Sequence, residues 1–404
     1  MINVLIVSAN PAGLSEVADL LSALPETSRA KIVTAAPEAA RALGPDQEFD
    51  LLIYRFAAPA QDNSVSERQL LARLILGKAK PPRTIALAFS AQILGLIEHD
   101  LAEKVWWIIR SDREGWQERL SEKVRLILQA PPHASETSSY DYDVACVTAL
   151  RIPELQAVAE IDWNWRGQLT SGDDTEYLVG HVNSSHGRLR VVAAAAPRMG
   201  SAATSVLAMK IIQHFRPRYL AAVGIASGLR GQTGLGDILI ATEAFDFNAA
   251  RLRRQKDGDD YFVSDPHGIA LDANLQLGFR TLKETRKHLD EIRERWPDRK
   301  PDAAAQLHLG PVASGTAVIG SVELLDRIKR QNRQVLALDP DTYALFHAAQ
   351  NCTPPCPRFF SVKGICDFAD LRKNEGFHAY AAFAAAEYFA RFVQHELGSV
   401  GVSK

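Results

Sequence analysis

The sequence predicts an α/β protein built from two domains, the first with a parallel sheet and the second with a mixed central sheet. Along the first 128 residues, short apolar runs alternate with segments of helical spacing. A stretch rich in Pro, Ser and Thr follows, and the rest of the chain carries strands and helices with no second break of that kind. With 404 residues, 47% of them hydrophobic, the chain is long enough for two domains and too apolar for wholesale disorder.

The N-terminal domain is predicted over residues 1–128 as a three-layer, flavodoxin-like fold. Five strand–helix units in this length indicate an open parallel sheet with helices on both faces. Helical spacing is clearest in Leu14–Leu24 and Ser66–Leu76. The predicted buried strands are Ile2–Val7, Lys31–Thr34, Leu51–Tyr54, Thr84–Ala88 and Val105–Ile109.

The linker is predicted over residues 129–141, where large apolar residues are nearly absent. The second domain then occupies residues 142–404 as a single α/β unit with a mixed sheet. Its predicted strands are Val144–Thr148, Tyr177–Val182, Leu189–Ala196, Tyr219–Val223, Asp237–Ala241 and Phe359–Val362. Its predicted helices are Ala202–His214, Leu277–Arg295, Ser321–Gln331 and Ala379–Leu397.

Composition and charge exclude several classes of protein. A formal net charge of −2 argues against a strongly basic nucleic-acid binder. No run of 18 apolar residues occurs, and the N-terminus has the pattern of a buried strand rather than of a signal peptide. Four cysteines are too few for a disulfide scaffold. We therefore expect a cytoplasmic protein with neither a nucleic-acid nor a membrane partner.

The N-terminal domain resembles the receiver domain of response regulators, but its phosphorylation chemistry is absent. A receiver needs acids after the first strand to hold Mg²⁺ and an Asp after the third to accept a phosphoryl group. Here the first strand ends in Ser8, Ala9 and Asn10, and Arg55 stands where the acceptor would be. We interpret the domain as a pseudo-receiver kept for contact with itself or with an upstream signalling protein. An unrelated flavodoxin-like domain is the alternative.

Two glycine-containing segments of the second domain are candidates for close contact with a ligand. Gly224 to Leu229 follows the predicted strand YLAAV, and Gly234 to Ile238 opens the next strand. Glycines after a strand let a ligand approach the backbone. Because these glycines lead into another strand rather than a helix, the pattern is not a dinucleotide-binding fingerprint. The candidate contacts here are Gly224, Ile225, Ala226 and Gly228.

Seven motifs in order give a more specific resemblance. They are VTALRIPE, APRMGSAAT, VGIASGL, GLGDI, VASGTAVIG, ALDPDTYAL and VKGICDFAD. In this order they resemble the purine nucleoside phosphorylase and nucleosidase superfamily, and most of all its methylthioadenosine/S-adenosylhomocysteine nucleosidase branch. The resemblance covers Asp143 to Leu397. It implies cleavage of an N-glycosidic bond in a nucleoside phosphorylase-type α/β domain.

The resemblance makes Asp367 the general acid. In the family a Ser-Asp pair ends a late strand, and the Asp protonates the purine leaving group. Here Cys366 replaces the Ser. A purine anion leaves poorly, so the carboxyl group must carry a proton to N7 as the base departs. The alternative is that Asp367 only caps the next turn.

The resemblance assigns ribose binding to the segment Asp339-Pro340-Asp341, which matches a Glu-Met-Glu run of the family. Asp341 would accept both ribose hydroxyls, since an ionised carboxylate can receive two donors. Asp is one methylene shorter than Glu, and Pro340 replaces the Met that packs under the sugar. This is the largest departure from the family pattern and leaves the substrate open.

Glu154 matches the residue that activates water in the nucleosidase branch, although its spacing from the first strand is one residue longer. Water would attack C1′ opposite the departing base, as in glycosidases with an acid and a base on opposite faces of the sugar. The alternative is an acid in the first turn of a helix.

Hydrolysis is favoured over phosphorolysis. The phosphorylase branch carries an Arg two residues before the Gly of its VGxxG turn, where this chain has Ala222, and the early GDPxR loop is missing. Arg198 lies near the nucleophile side and could restore an anion site, so phosphorolysis stays open. By the same motif matches, Met199, Val318 and Ile319 are substrate contacts.

A basic cluster bears on the substrate. Arg251, Arg253 and Arg254 fall where the family places the 5′ end of the nucleoside. A thioether there would want apolar contacts, whereas a basic cluster suits 5′ phosphates. This favours AMP or ATP as substrate. A solvated turn is the alternative.

The sequence thus predicts a purine, mainly adenine, nucleoside or nucleotide hydrolase without a cofactor or metal. CTPPC, with Cys352 and Cys356, lacks a second pair at zinc spacing. The fusion resembles effectors of bacterial signalling and antiviral defence, some of which release adenine from ATP, and implies a homo-oligomer regulated through its pseudo-receiver. Two alternatives stay open: a salvage methylthioadenosine/S-adenosylhomocysteine nucleosidase or phosphorylase, and a non-catalytic nucleoside sensor.

Overall fold

The structure is a computed structural model of the chain, and it divides into two compact units, Met1–His133 and Ala134–Lys404. Each unit is described by itself. The described residues are 2–8, 10–41, 49–56, 64–75, 82–89, 101, 105–129, 139–184, 187–254, 260–264, 267–283, 287–315, 322–369, 376–395 and 397.

The described strands of the first unit form a parallel sheet of order β2-β1-β3-β4-β5. This is one of the two common orders of doubly wound sheets. The strands are β1 Ile2–Ser8, β2 Ala30–Ala35, β3 Leu51–Arg55, β4 Arg83–Ala88 and β5 Trp107–Arg110. The helices are α1 Pro11–Ser22, α2 Pro37–Arg41, α3 Ser64–Ile75 and α4 Trp116–Gln129, with a 3₁₀ turn at Pro25–Arg29.

Both faces of this sheet are buried, which explains the continuous apolar runs of its strands. Val4 and Ile6 pack on one side with α1 and α4, whereas Leu5 and Val7 pack on the other side with α3. The predicted three-layer fold is confirmed, with strand ends within two residues of the predicted ones. The descent of the unit from receivers stays a prediction.

Arg55 ends β3 and is held by its neighbours. Its guanidinium pairs with Glu16 at 2.6 Å, donates to the carbonyl oxygen of Gly13 at 3.3 Å and lies 5.1 Å from the ring centroid of Trp116. The carboxyl end of β3 therefore carries a cation that is bound to α1 and lies over Trp116 of α4.

The second unit is built on a mixed sheet of order β14-β11-β15-β16-β10-β6-β9-β8-β7, with β17 paired to both β10 and β11. The mixed sheet predicted from the sequence is confirmed. The strands β6 to β13 are Tyr142–Thr148, Arg166–Thr170, Asp173–Ser184, Gly187–Ala195, Pro217–Gly228, Ile238–Asp246, Ala250–Arg254 and Asp260–Ser264. The strands β14 to β17 are Gly268–Ala270, Leu307–Ser314, Ala337–Leu338 and Arg358–Phe368.

Helices cover both faces of this sheet. A short, interrupted helical segment, Arg151–Leu155, in which Ile152 has an extended backbone, leads into the first of them. The helices α5 to α11 are Gln156–Ala159, Ser201–Phe215, Ala273–Lys283, Lys287–Arg295, Val322–Gln331, Thr342–Gln350 and His378–His395.

The longest helix, α11, lies against β17 and β10 with most of its residues buried. The fit is close because Gly364 of β17 has no side chain: a Cβ there would overlap the backbone carbonyl of Ala381. On the other face α6 and α10 pack together over β6, β10 and β17. The two layers hold the carboxyl ends of the central strands in fixed positions.

Two sequence predictions are corrected here. Gly224 to Leu229 is not a turn after a short strand, because β10 runs unbroken through Gly228. The predicted helix Leu277–Arg295 is two helices, α7 and α8, with residues 284–286 outside the described part. None of the described helices is long and apolar enough to cross a membrane.

Candidate active site

The candidate site lies where β6, β9, β10 and β17 end. These four strands are parallel neighbours, so their carboxyl ends share one edge of the sheet. Ligands of open α/β sheets bind beyond this edge. Among the predicted site residues, the structure brings Glu154, Gly224, Asp339 and Asp341 into one buried cluster, and Asp367 ends the neighbouring strand β17.

Glu154 is a deeply buried acid of the site, with 2% of its surface exposed. Its Oε2 accepts hydrogen bonds from the backbone N–H groups of Ala149 and Leu150, and its Oε1 accepts one from Ile225, all at 2.8 Å. Burial raises the pKa of Glu154, while Lys363 and the N–H groups of Ile225 and Leu150 oppose that rise. The result is a fixed carboxylate with a raised pKa.

Glu154 lies in the first turn of the short helical segment Arg151–Leu155, in which Ile152 keeps an extended backbone, φ −126° and ψ 127°. This break in the helical path precedes Glu154, whose carboxylate returns to the N–H groups that follow β6. The alternative position of an acid in the first turn of a helix therefore agrees with the fold, but the side chain is buried and hydrogen-bonded.

Gly224 is needed for this arrangement. A Cβ at that position would overlap the Glu154 carboxylate. Gly224 lies beside Lys363 in the β10–β17 register. The absence of a side chain on β10 therefore leaves the space in which the Glu154 carboxylate lies beside that lysine.

Lys363 is a buried cation that the sequence analysis missed. It is 1% exposed, and its Nζ lies 3.3 Å from Oδ2 of Asp339, which is equally buried. Burial favours the neutral amine, but the carboxylates of Asp339, Glu154 and Asp341 outweigh it and raise the pKa of Lys363. The signal available in the sequence is one charged residue inside the otherwise apolar strand FFSVKGIC.

Asp339 is saturated by internal contacts. Besides Lys363, it accepts hydrogen bonds from the N–H groups of Asp341 and Thr342 and from the Thr342 hydroxyl. These contacts cap the start of α10. Asp339 thus positions the segment, and the prediction that it contacts substrate has no support in this geometry.

Asp341 uses one oxygen for structure. Its Oδ1 accepts from the N–H of Gly200 at 2.9 Å and from the hydroxyl of Thr204 at 2.6 Å. Burial and the neighbouring Asp339 raise the pKa of Asp341, against the effects of Lys363, Thr204 and Gly200. Within the described residues no hydrogen bond reaches its Oδ2, so that oxygen can receive a ligand hydroxyl.

A β-bulge places the pair Cys366-Asp367. The register of β17 against β10 shifts by one residue, so that Ala226 lies beside Ile365 and Ser227 beside Asp367. The extra residue is Cys366, whose thiol points to the carbonyl oxygen of Ala226 at 3.5 Å. Bulges redirect side chains next to active sites.

Asp367 has one oxygen without a partner. Its Oδ1 is shielded from solvent and forms no hydrogen bond, while Oδ2 lies 3.7 Å from Nε2 of His378. A buried, unsatisfied carboxyl oxygen is rare in folded proteins and indicates a place for a ligand donor or a proton. His378 is a second residue that the sequence analysis missed, since a lone histidine at a helix start carries no distinctive pattern.

The remaining predicted residues are less well placed. Arg198 is exposed, and Met199 is 48% exposed, in the segment between β9 and α6. Val318 and Ile319 lie outside the described residues. The basic cluster belongs to β12, a strand rather than a turn, and the side chains of Arg251, Arg253 and Arg254 lie outside the described part.

The cysteines outside β17 form no recognisable ligand set. Cys352 and Cys356 both have free thiols, and Cys356 donates to the carbonyl oxygen of Cys352 at 3.3 Å. Cys146 is buried in β6, where burial raises the pKa of its thiol. These contacts are those of packed, hydrogen-bonded thiols.

Comparison with known families identifies the second unit. The profile described as Phosphorylase superfamily matches residues 143–395. Protein y4jS of Sinorhizobium fredii is 25% identical over 375 residues, which are 88% of this chain and 90% of that protein.

ATP nucleosidase Cap17 of Escherichia coli is 26% identical over 293 residues, 69% of this chain. This chain spans 56% of the length of Cap17. Among solved structures, the 5′-methylthioadenosine/S-adenosylhomocysteine nucleosidase of Neisseria meningitidis, in complex with methylthio-immucillin-A, has a TM-score of 0.47 at 21% identity. The match covers 63% of this chain and 99% of that one.

Proposed function

This chain belongs to the phosphorylase superfamily through residues 143–395, and on that premise we propose that it hydrolyses the N-glycosidic bond of a purine nucleotide or nucleoside and releases the free base. The observation that carries the proposal is the pair Glu154 and Asp367, held at two places on β10 by Ile225 and Ser227. Those places are two residues apart, about 7 Å along a strand. We propose that the two carboxyl groups flank the sugar, with the attacking water on the side of Glu154.

In the proposed reaction Glu154 is the general base. Its Oε2 already has two donors, whereas Oε1 has one and can accept a second from water. Glu154 removes a proton as the water oxygen bonds to C1′. Its raised pKa brings it closer to the range in which a carboxylate accepts a proton effectively.

Asp367 is the proposed general acid. It gives its proton to N7 as the bond between C1′ and the base breaks, so the bonding electrons leave with a neutral purine. The unpartnered Oδ1 supports this role, because it is an oxygen with nothing else to bind. The products are the base and a ribose, or ribose phosphate, with a hydroxyl on C1′.

Asp341 completes the site by binding ribose. Its Oδ1 is oriented by Gly200 and Thr204, and its Oδ2 is proposed to accept the sugar hydroxyls. Two fixed donors on one oxygen hold the carboxylate plane in one direction, which is what a bidentate contact with neighbouring hydroxyls requires.

We propose an adenine nucleotide such as ATP or AMP as the substrate. Two observations support this choice: the similarity to ATP nucleosidase Cap17 and the arginines of β12 at the predicted 5′ end. Control by an upstream protein through the first unit, assembly as a homo-oligomer and a role in antiviral defence are further parts of this proposal.

The test is chromatography of free base after incubation with ATP, AMP, adenosine and methylthioadenosine, with and without phosphate. Asp367→Asn is expected to lower base release by about 10²- to 10⁴-fold, while the exposed Asp298→Asn leaves it unchanged. Release that requires phosphate would point to phosphorolysis, and release from methylthioadenosine alone would exclude the nucleotide substrate. Tight nucleotide binding without base release from any compound would contradict the proposed enzyme and favour a sensor.

A further inference from the structure

A cluster of three different metal-ligating groups lies at the end of β17. The thiol of Cys366, the carboxylate of Asp367 and the imidazole of His378 offer one sulfur, one oxygen and one nitrogen, all within 4.8 Å of one another. Across the described residues it is the one group of three or more His, Cys, Asp and Glu side chains with this spacing.

The cluster is held by the backbone. The β-bulge brings Cys366 and Asp367 to the edge of the sheet, and the N–H of Phe377 donates to the carbonyl oxygen of Cys366 at 3.0 Å. That bond places His378, the next residue, over the pair. Gly376 makes room for the ring, since a Cβ at that position would overlap the His378 imidazole.

The ligand types fit zinc. Zn²⁺ takes Cys sulfur, His nitrogen and carboxylate oxygen in tetrahedral sites, with bonds of about 2.0–2.3 Å, so ligand atoms lie about 3.3–3.8 Å apart. The Asp367–His378 distance of 3.7 Å falls in that range. All three ligand atoms lie within 4.8 Å of one another, and the His378 side chain, 51% exposed, has room to rotate towards a bound ion. The Oδ1 atom of Asp367, which forms no hydrogen bond, is an independent sign that one oxygen of this carboxylate can take a ligand.

We propose that Cys366, Asp367 and His378 bind a divalent cation of the zinc class, which occupies the general acid and inhibits base release. Binding forms the metal–sulfur, metal–oxygen and metal–nitrogen bonds and releases two protons to solvent, one from the Cys366 thiol and one that Asp367 carries as the general acid. Water fills the fourth position. The inhibition rests on the proposed function, whereas the binding does not.

The proposed metal site gives a reason for Cys at position 366, where the family pattern has Ser. A serine hydroxyl is a poor zinc ligand, so a Ser-Asp pair followed by a histidine would not make this donor set. With Cys366 present, the proposed general acid Asp367 is also a zinc ligand. The proposed hydrolase would then be inhibited when the ion is bound.

The test is titration of the full chain with Co²⁺, whose thiolate complexes absorb in the near ultraviolet, followed by displacement with Zn²⁺. We expect saturation at about one Co²⁺ per chain. Cys366→Ser should abolish the thiolate band, and His378→Gln should weaken binding roughly tenfold or more. Cys356→Ser, the matched control, should keep both. Because His378 is exposed, its variant tests the site even if Cys366→Ser fails to fold.

The metal site would be overturned if the unaltered chain lacked the thiolate band or if Cys366→Ser kept it. Loss of the band in Cys356→Ser, or an unchanged affinity of His378→Gln for Co²⁺, would also overturn it. For inhibition, the ratio of base release with and without Zn²⁺ is compared in each variant, and only the unaltered chain and Cys356→Ser should lose activity with the metal. A chain that binds Co²⁺ but releases no base from any compound would contradict the proposed function and leave the metal site standing.

Discussion

Removal of the buried charge at Lys363 tests whether this lysine holds the active-site carboxylates together. Lys363→Met keeps the volume of the side chain and deletes the ammonium that lies 3.3 Å from Asp339, with both partners 1% exposed. Breaking such a buried pair leaves an uncompensated charge and costs about 3–5 kcal/mol. For a unit of this size that lowers the unfolding midpoint by roughly 6–20 °C.

The protein offers a matched control. Lys287 pairs with Glu291 at 3.8 Å, and the two side chains are 79% and 40% exposed. Lys287→Met should therefore cost about 0–1 kcal/mol. In the double variant Asp339→Asn, Lys363→Met, both charges are gone, and stability should recover most of the loss seen in Lys363→Met alone.

The assay is scanning calorimetry of the full chain at several pH values. Without Lys363 the cluster of Asp339, Asp341 and Glu154 carries only negative charge. Burial raises the pKa of Glu154 and of Asp341, and protonation of these two acids relieves the repulsion, so the deficit of Lys363→Met should shrink as the pH falls. Equal losses in Lys363→Met and Lys287→Met, or no recovery in the double variant, would refute the assignment of Lys363 as the buried counter-charge.

Further predictions concern the carboxylates. Gly224→Ala should displace Glu154 and lower base release by about 100-fold or more. Gly167→Ala is the control, because a Cβ at that position meets nothing within 4 Å and base release should not change. Equal rates of base release in the two variants would exclude the close packing of Gly224 against Glu154. Glu154 is proposed to act as an ionised base, and burial raises its pKa. The value of kcat/KM should therefore fall as the pH drops through a value above about 4.3. A fall that occurs only at or below that pH would contradict the role of Glu154 as general base. Thr204→Val should raise KM roughly five- to tenfold and change kcat little, since it removes a donor that orients Asp341; an unchanged KM would argue against ribose binding there.

The strands that could be predicted from the sequence are those whose residues follow one clear hydrophobic pattern. The strands of the first unit are apolar on both faces, so each appears as an unbroken run bounded by polar residues. β15 escaped prediction because Gly310 and Pro311 interrupt it. In the structure Pro311 lies at a register shift between β15 and β11, where a proline is tolerated in a sheet.

The site residues also divide into those that a sequence motif reveals and those that only the fold reveals. Glu154 and Asp367 occur in motifs of fixed order, so the resemblance found them. The roles of Lys363 and His378 depend on side chains that meet from distant segments, and no local spacing encodes such a contact. The resemblance singled out Asp341 for the ribose hydroxyls, and the fold adds that Asp339 is engaged by Thr342 and Lys363 while Asp341 keeps one oxygen available.

The charge balance of the cluster accounts for the reaction as well as for the stability. Glu154, Asp339 and Asp341 surround Lys363, so three carboxylates face one cation, and burial raises the pKa of both Glu154 and Asp341. When the glycosidic bond breaks, C1′ and the ring oxygen gain positive charge. That charge is absent from the neutral sugar of the ground state, so carboxylates fixed by backbone donors attract the transition state more than the substrate. The site carries more negative than positive charge, so it suits a reaction whose transition state supplies positive charge. A sugar analogue with a cationic ring should therefore bind more tightly than its neutral counterpart. This difference in affinity should disappear as the carboxylates are protonated.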